Sequence, residues 1–404
     1  MSSLVTAAVL LSALSTPWQA TWFAAPQPAW DRSFILPTNL PATLSGQTVR
    51  EIMRTSVGGK QVRVQFSNRY GATPLTIGAV RIALAGEGGA TVAGSSHELL
   101  FNGRPSVIVP PGAPVMSDPV DFPIAPLTRL AVSTYFPLPT PVTTFHWGDQ
   151  QTALIGTGNN MQLTKSDGAA EMKGRAFLSG VLVDAAPGAR TVIAFGDSIT
   201  DGNGSTPDAN RRWPDALAQR LAGRGNLAVI NASISGARLL QDKMGANALA
   251  RFEQDVLGQP GPKTVVVMLG INDIGWPGSP FAPHDPAITA AEVIAGYKQL
   301  LTLARVHQVR MVGATLPPFE GALGGTPFEG HFSAAKDAVR HAVNHWIRTA
   351  GAFDAVVDAD TVLRDPHRPA RLLPAYDSGD HLHPGDAGYR ALAGAIQDEQ
   401  LFPN

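Results

Sequence analysis

The stretch TVIAFGDSITDG occupies residues 191–202. It opens with a short apolar, β-branched run, which is typical of a strand buried on both faces of a parallel sheet. Gly196 permits a sharp turn after that run, so Ser198 is expected just past the end of the strand. A helix beginning there would direct backbone N–H groups at the serine oxygen and favour developing negative charge. Taken alone, the tripeptide also fits an ordinary turn in which Asp197 and Ser198 only cap the helix.

The chain after this stretch alternates between short β-branched runs and longer helical patterns. Strands are predicted at Thr191–Phe195, Leu227–Asn231, Thr264–Leu269, Arg310–Thr315 and Ala355–Asp358. Helices are predicted at about Trp213–Ala222, Ala246–Leu257, Ala290–Val306, Ala334–Ala350 and Asp386–Gln397. This alternation indicates an α/β fold, with a parallel sheet covered by helices on both faces. Because such sheets bind ligands beyond the carboxyl ends of their strands, a site is expected in the loops that follow the strands.

The chain before this stretch has a different texture. Short runs of alternating apolar and polar residues, such as Val62–Phe66 and Arg129–Tyr135, are separated by Gly, Pro and Asn. Prolines at positions 105, 110, 111, 114, 119, 123 and 126 exclude a helix between them. We predict an all-β sandwich or jelly-roll-like domain over residues 21–185, a linker at Ala185–Gly188, and the α/β domain over residues 189–404.

The composition excludes several classes of site and partner. The sequence has no cysteine, so disulfides, thiolate nucleophiles and Cys-ligated metals are ruled out. Lys and Arg number 31 against 32 Asp and Glu, a net charge of −1. A neutral chain without basic runs gives no electrostatic footprint for nucleic acid. No Walker A motif, dinucleotide-binding glycine motif or His-Glu-x-x-His motif is present, and no cofactor is expected. The sequence does not indicate an oligomeric state.

The amino terminus resembles a signal peptide. The apolar run Leu4–Leu14 is too short to span a bilayer, and Ala13-Leu14-Ser15 resembles a cleavage site. No Lys or Arg precedes the run, which is atypical of such a leader. We predict that residues 1–20 are a candidate signal peptide, that the protein is secreted or periplasmic, and that it has no integral membrane association.

Polar residues also follow other predicted strands and lie near the carboxyl terminus. Gly236 can expose its N–H to a ligand, and the Asn272 side-chain amide is a neutral donor suited to an oxyanion. Asp380 and His383 are spaced so that a carboxylate can hold one imidazole nitrogen and leave the other as a base. Each signal alone also fits a plain turn. A metal pair of His381 and His383 is disfavoured because no third ligand is evident, and no metal site is predicted.

Together these segments resemble the SGNH, or GDSL, hydrolase superfamily. The family's blocks occur in order as Gly196-Asp197-Ser198, Gly236, Gly270-Ile271-Asn272-Asp273 and Asp380-His381-Leu382-His383-Pro384. The resemblance runs from about Arg190 to the carboxyl terminus and implies a flavodoxin-like parallel sheet, the SGNH hydrolase fold. No Gly-x-Ser-x-Gly motif is present, which disfavours the α/β-hydrolase alternative.

The resemblance also implies residue roles. Ser198 would be the nucleophile, His383 the base that takes its proton, and Asp380 the group that orients His383. The oxyanion donors would be the backbone N–H groups of Ser198 and Gly236 and the side chain of Asn272. The expected reaction is hydrolysis of an ester through an acyl-enzyme, without a metal.

The expected substrate is a small ester or an acetylated carbohydrate. Val49–Ile52 and Val62–Asn68 resemble the domain that precedes the hydrolase in a subgroup of bacterial esterases, some of them linked to xylan degradation. Trp276, just after the Asn272 loop, is a candidate wall of the acyl or sugar pocket, whereas His146 and Trp147 are expected in packing or at a domain interface. The alternatives are a lipase or lysophospholipase, and a non-catalytic glycan-binding protein.

Overall fold

A computed structural model describes residues 17–31, 34–161, 168–224, 226–261 and 263–403. Its amino-terminal half holds strands β1 (Trp18–Phe23), β2 (Gln27–Pro28), β3 (Thr43–Leu44), β4 (Gln47–Arg54), β5 (Gly59–Ser67), β6 (Leu75–Ile77), β7 (Ala79–Leu84), β8 (His97–Glu98), β9 (Val107–Val109), β10 (Pro114–Met116), β11 (Val120–Ile124), β12 (Arg129–Phe136), β13 (Thr140–Pro141), β14 (Thr144–Thr157), β15 (Ala170–Ala176) and β16 (Leu178–Asp184).

The carboxyl-terminal half alternates strands and helices as predicted. The strands are β17 (Arg190–Gly196), β18 (Leu227–Asn231), β19 (Lys263–Met268), β20 (Arg310–Ala314) and β21 (Ala355–Val357). The helices are α1 (Ser198–Asp201), α2 (Trp213–Leu221), α3 (Ala248–Phe252), α4 (Ile271–Gly275), α5 (Ala290–Val306), α6 (Ala334–Thr349), α7 (Ala359–Leu363), α8 (Asp386–Ala395) and α9 (Asp398–Leu401). One π-helical turn, Glu253–Leu257, continues α3.

The β-rich half is built from two antiparallel sheets that pack together. One runs β1–β16–β5–β10 with β11 also on β5, and the other runs β15–β14–β4–β12–β7–β8 with β2 on β14. Val64 of β5 and Val181 of β16 meet Val49 of β4 and Val132 of β12 in one buried apolar cluster. The alternating runs of the sequence therefore point one face of each sheet into a shared core, as expected for a sandwich.

The α/β half has a parallel sheet with the strand order β18–β17–β19–β20–β21. This is the 2-1-3-4-5 order of flavodoxin-like folds, so the predicted fold class is confirmed. The central strands are buried along almost their whole length, which explains their continuous apolar runs. Helix α5 begins at a capping box of Thr289 and Glu292 and covers the sheet with a buried face that includes Tyr297.

Strand β1 connects the two halves. It pairs with β16 in the antiparallel sheet, with a register shift between Ala20 and Trp22 that marks a bulge. Trp22 packs in the core of the β-rich half, whereas Ala20 and Phe23 pack in the core of the α/β half. The side chain of Gln19 donates to the backbone oxygen of Arg190 over 2.8 Å. The halves therefore share a buried interface along this strand.

The predicted leader lies mostly outside the described residues, since the description begins at Pro17. Trp18 already belongs to β1, so the folded chain includes the last residues of the predicted 1–20 segment. Among the described residues, no helix is both long enough and apolar enough to cross a membrane.

Candidate active site

The segments singled out in the sequence meet at the carboxyl-terminal edge of the parallel sheet. Strands β17 and β19 end at Gly196 and Met268, with Ser198 and Asn272 just beyond them. The loop between α7 and α8 carries Asp380 and His383 to the same edge. This edge is where open parallel sheets bind ligands.

Ser198 is held by the tight turn between β17 and α1. Asp197 caps α1, with its Oδ1 accepting the N–H of Ile199 at 3.0 Å. A Cβ on Gly196 would overlap the Thr200 side chain, so only glycine fits before the turn. Burial raises the pKa of Asp197 to about 7, against the opposing hydrogen bond from Ile199 and the nearby His383. The turn places the Ser198 side chain at a buried position, 6% exposed.

A hydrogen-bonded series connects Ser198, His383 and Asp380. The Ser198 Oγ lies 2.8 Å from His383 Nε2, although 185 residues separate them in sequence. On the other side of the ring, His383 Nδ1 lies 2.6 Å from Asp380 Oδ2. A hydroxyl, an imidazole and a carboxylate in this order can activate a serine for nucleophilic attack.

Hydrogen bonds within the loop stabilise the positions of Asp380 and His383. Asp380 Oδ1 accepts the N–H groups of Leu382 at 2.9 Å and His383 at 2.8 Å. Burial alone would raise the pKa of Asp380, but the hydrogen bonds from the His383 ring and from these N–H groups hold it well below its usual range. The carboxylate is therefore ionised at neutral pH and can hold the imidazole in one tautomer.

A second carboxylate–imidazole pair lies in the same loop. His381 Nδ1 is 2.5 Å from Asp377 Oδ2, and the His381 side chain is half-exposed. His381 and His383 therefore face different carboxylates, whereas the metal-pair alternative would need both rings at one ion.

Gly236 presents its backbone N–H in the loop after β18. Its φ of +73° is a left-handed conformation that favours glycine, and a Cβ there would overlap the side chain of Met244. Within the described residues, neither the Gly236 N–H nor the Ser198 N–H donates a hydrogen bond to another group. Both donors are thus available to a bound group.

Asn272 lies on α4, where Gly270, with a φ of +116°, starts the helix. Its Nδ2 donates one hydrogen to the oxygen of Ala237 at 3.0 Å, which orients the amide and leaves its second hydrogen. The neighbouring Asp273 accepts the N–H groups of Leu239 at 2.7 Å and Leu240 at 3.1 Å. Asn272 and Asp273 therefore fasten the loop that follows Gly236 to α4.

Three residues that support the carboxyl-terminal edge of the parallel sheet were not predicted from the sequence. Asp273 stands in a motif without a predicted role of its own, and its hydrogen bonds to the Gly236 loop are visible only in three dimensions. Arg251 is fully buried, and its guanidinium donates to the oxygen of Ala232 at 2.5 Å and to that of Gly196 at 3.1 Å. Met244 belongs to a loop with no motif of its own. A lone buried arginine or methionine leaves no sequence pattern that would find it.

Trp276, the predicted wall of the acyl or sugar pocket, directly follows α4 and is buried. It is 2% exposed and stacks on Phe281, which in turn stacks on Phe328. Met244 belongs to the same apolar cluster, so Trp276 backs the Gly236 loop. His146 and Trp147 lie at the interface between the two halves. His146 Nε2 is 3.2 Å from Asp201 Oδ1, and Trp147 packs against the apolar cluster that contains Met244 and Trp276.

Part of the α/β half matches a known protein family. Residues 194–391 match the model of the GDSL-like lipase/acylhydrolase family. A comparison with curated proteins finds no match.

Solved structures match the same half of the chain. A GDSL-like lipase from Bacteroides thetaiotaomicron VPI-5482 is 20% identical, with a TM-score of 0.39, over 52% of this chain and 87% of that one. An acetyl xylan esterase is 20% identical, with a TM-score of 0.37, over 51% and 96%. A lipase/acylhydrolase from Enterococcus faecalis is 22% identical, with a TM-score of 0.37, over 53% and 98%. The residues matched by the family model include Ser198, Gly236, Asn272, Asp380 and His383. Residues 194–391 are therefore a domain of the GDSL-like lipase/acylhydrolase family, and the protein is a carboxylic ester hydrolase.

Proposed function

We propose that the protein is a serine esterase that hydrolyses short-chain carboxylic esters through an acyl-enzyme. One observation carries the proposal, the hydrogen-bonded series from Ser198 through His383 to Asp380. His383 Nε2 takes the Ser198 proton as the serine oxygen attacks the ester carbonyl carbon, and Asp380 stabilises the imidazolium. The ester bond breaks when the tetrahedral intermediate collapses, and the imidazolium gives its proton to the departing alkoxide.

Water then completes the cycle. His383 takes a proton from water as the water oxygen attacks the acyl carbon, and the proton returns to Ser198 as the acid leaves. The negative oxygen in both steps is stabilised by the N–H groups of Ser198 and Gly236 and by the free hydrogen of the Asn272 amide. Preorganised donors of this kind are usually the largest single contribution to such catalysis.

We infer that the acyl group is small, acetyl being the best candidate. Met244 lies against Gly236, and Met244 and Trp276 belong to one buried apolar cluster. This cluster borders the Gly236 donor, and we take that as support for a short acyl chain. An acetylated carbohydrate, as the sequence predicts, would place its bulk on the alcohol side.

A series of nitrophenyl esters tests the reaction and the acyl length. We expect kcat/KM to be highest for acetate and to fall as the acyl chain lengthens from two to twelve carbons. Ser198→Ala should abolish turnover and also labelling by a fluorophosphonate. Ser179→Ala, a buried serine of the β-rich half, is the control and should retain both. A maximum at eight or more carbons would support a lipase, whereas a wild type inactive on every ester would support a glycan-binding protein.

The alcohol part needs a separate measurement. Acetate release from acetylated xylo-oligosaccharides should exceed release from nitrophenyl acetate in kcat/KM if a sugar is recognised. Equal or lower values would remove the carbohydrate part of the proposal and leave the esterase part intact.

A further inference from the structure

A histidine of the β-rich half contacts the short helix that carries Ser198. His146 on β14 is 3% exposed. Its Nδ1 lies 2.9 Å from the backbone oxygen of Ala25, and its Nε2 lies 3.2 Å from Asp201 Oδ1. A carbonyl oxygen can only accept, so Nδ1 carries a hydrogen. The ring nitrogen facing the carboxylate then forms an ion pair with it when both nitrogens are protonated.

The other oxygen of Asp201 holds the residue before Gly236. Asp201 Oδ2 accepts the N–H of Ser235 at 3.1 Å and the hydroxyl of Ser235 at 2.7 Å. The same hydroxyl lies 3.1 Å from Asn203 Oδ1, and the shorter contact with Asp201 takes its single proton. Asp201 is the last residue of α1, whose first is Ser198. One carboxylate therefore ties the helix of the nucleophile to the loop of an oxyanion donor.

The surroundings of the His146–Asp201 pair favour a protonated His146 ring opposite the Asp201 carboxylate. Asp201 is 1% exposed, and a buried carboxylate without a cation is strongly destabilising. Burial alone would lower the pKa of His146, but Asp201 outweighs it together with Asp149 and the Ala25 carbonyl, so the pKa is raised. Arg212 also interacts electrostatically with Asp201, and Asp255 with His146, while Arg175 pairs with Asp149.

We propose that His146 is a positioning residue of the esterase, through which the β-rich half sets the oxyanion geometry of the α/β half. The His146–Asp201 pair fixes Ser235, and Ser235 fixes the direction of the Gly236 N–H relative to the Ser198 oxygen. The inference rests on the function proposed above. It assigns to the β-rich half a part in the chemical step, beyond any part in holding substrate.

The test compares turnover with ground-state binding. His146→Gln should lower kcat for nitrophenyl acetate by about 10- to 100-fold, because small displacements of an oriented group have effects of that size. KM should stay within about twofold, because the substrate pocket is unchanged. The inhibition constant of a trifluoromethyl ketone, which forms a tetrahedral oxyanion on the serine, should rise by the same factor as kcat falls.

Two further variants separate positioning from loss of structure. Ser235→Ala removes only the hydroxyl, leaves the interface in place, and should lower kcat several-fold with the same rise in the ketone constant. Gln19→Ala removes a buried polar contact between the two halves on β1, so it should lower the melting temperature and leave kcat unchanged. If His146→Gln fails to fold, the result for Ser235→Ala decides.

The outcomes distinguish this inference from the proposed function. An active wild type in which His146→Gln and Ser235→Ala keep kcat and the ketone constant within about twofold would overturn only the positioning role. A fall in kcat that Gln19→Ala shares equally would also overturn it, because instability of the interface would then be the cause. A wild type inactive on every ester, or a Ser198→Ala variant as active as wild type, would overturn both.

Discussion

Met244 lies directly over Gly236, so that a Cβ on the glycine would overlap the methionine side chain. The glycine also has a φ of +73°. The N–H that we assign to the oxyanion is therefore held by a backbone conformation and by a close contact, and both require glycine.

Gly236→Ala should lower kcat for nitrophenyl acetate by at least about tenfold, since the loop must shift and turn its N–H away. Gly223→Ala is the matched control, because a Cβ there meets no atom within 4 Å and φ is not positive. Steady-state kinetics of both variants check this. Equal kcat in Gly236→Ala and wild type would remove the Gly236 N–H from the oxyanion site.

Asp380→Asn should lower kcat by about 10³- to 10⁴-fold, because an amide no longer stabilises the tautomer and the imidazolium of His383. Asp377→Asn changes the neighbouring carboxylate, which pairs with His381, and should change kcat by less than about threefold. Rates for the two variants, with fluorophosphonate labelling to count intact sites, provide the measurement. Comparable losses in both would mean that the loop as a whole, rather than Asp380, orients the base.

Asn272→Ala should lower kcat by about 10²- to 10³-fold with little change in KM, as expected for a donor that acts only on the oxyanion. Asn68→Ala is the control, because Asn68 is equally buried and donates to backbone oxygens of the β-rich half. It should lower the melting temperature alone. A rise in KM at constant kcat for Asn272→Ala would instead place this amide in ground-state binding.

Glu51→Gln should change how stability depends on pH. Burial raises the pKa of Glu51 from 4.5 to about 8 against the attraction of Arg175, and its Oε2 has no hydrogen-bond partner among the described residues. The folded state therefore keeps a proton that the unfolded state loses above pH 4.5. The contribution of protonated Glu51 to the free energy of unfolding is complete below that pH. It is lost as the pH rises to about 8, by up to about 1.4 kcal/mol per pH unit.

Melting temperatures of wild type and Glu51→Gln across pH 5–9 check this sign. The two should be similar near pH 5, and the variant should become relatively more stable towards pH 8. Parallel curves would show that Glu51 has the same pKa in both states.

The elements that could be predicted from the sequence are those that depend on patterns in consecutive residues. Helix α5 (Ala290–Val306) and strand β18 (Leu227–Asn231) have the predicted bounds, because period and length are read from consecutive residues. The predicted helix Ala246–Leu257 instead begins after an Asn247 cap and changes to a π-helical turn at Glu253. Such a change depends on packing rather than on periodicity.

The partners of distant residues could not be predicted in this way. That Ser198 and His383 would meet was implied by the resemblance of the ordered motifs to the SGNH hydrolases. No rule indicated that β4 would lie between β12 and β14. The contact of His146 with Asp201 joins two halves across 55 residues, and no local pattern encodes it.

The bulged strand β1 limits how this protein can be dissected. It contributes Trp22 to one core and Ala20 and Phe23 to the other. A fragment that begins at the linker would lack β1, which packs against β18. A catalytic domain transferred to another protein would therefore need residues 17–28 as well. Division of the chain at the linker would therefore remove from the α/β half a strand that belongs to both cores.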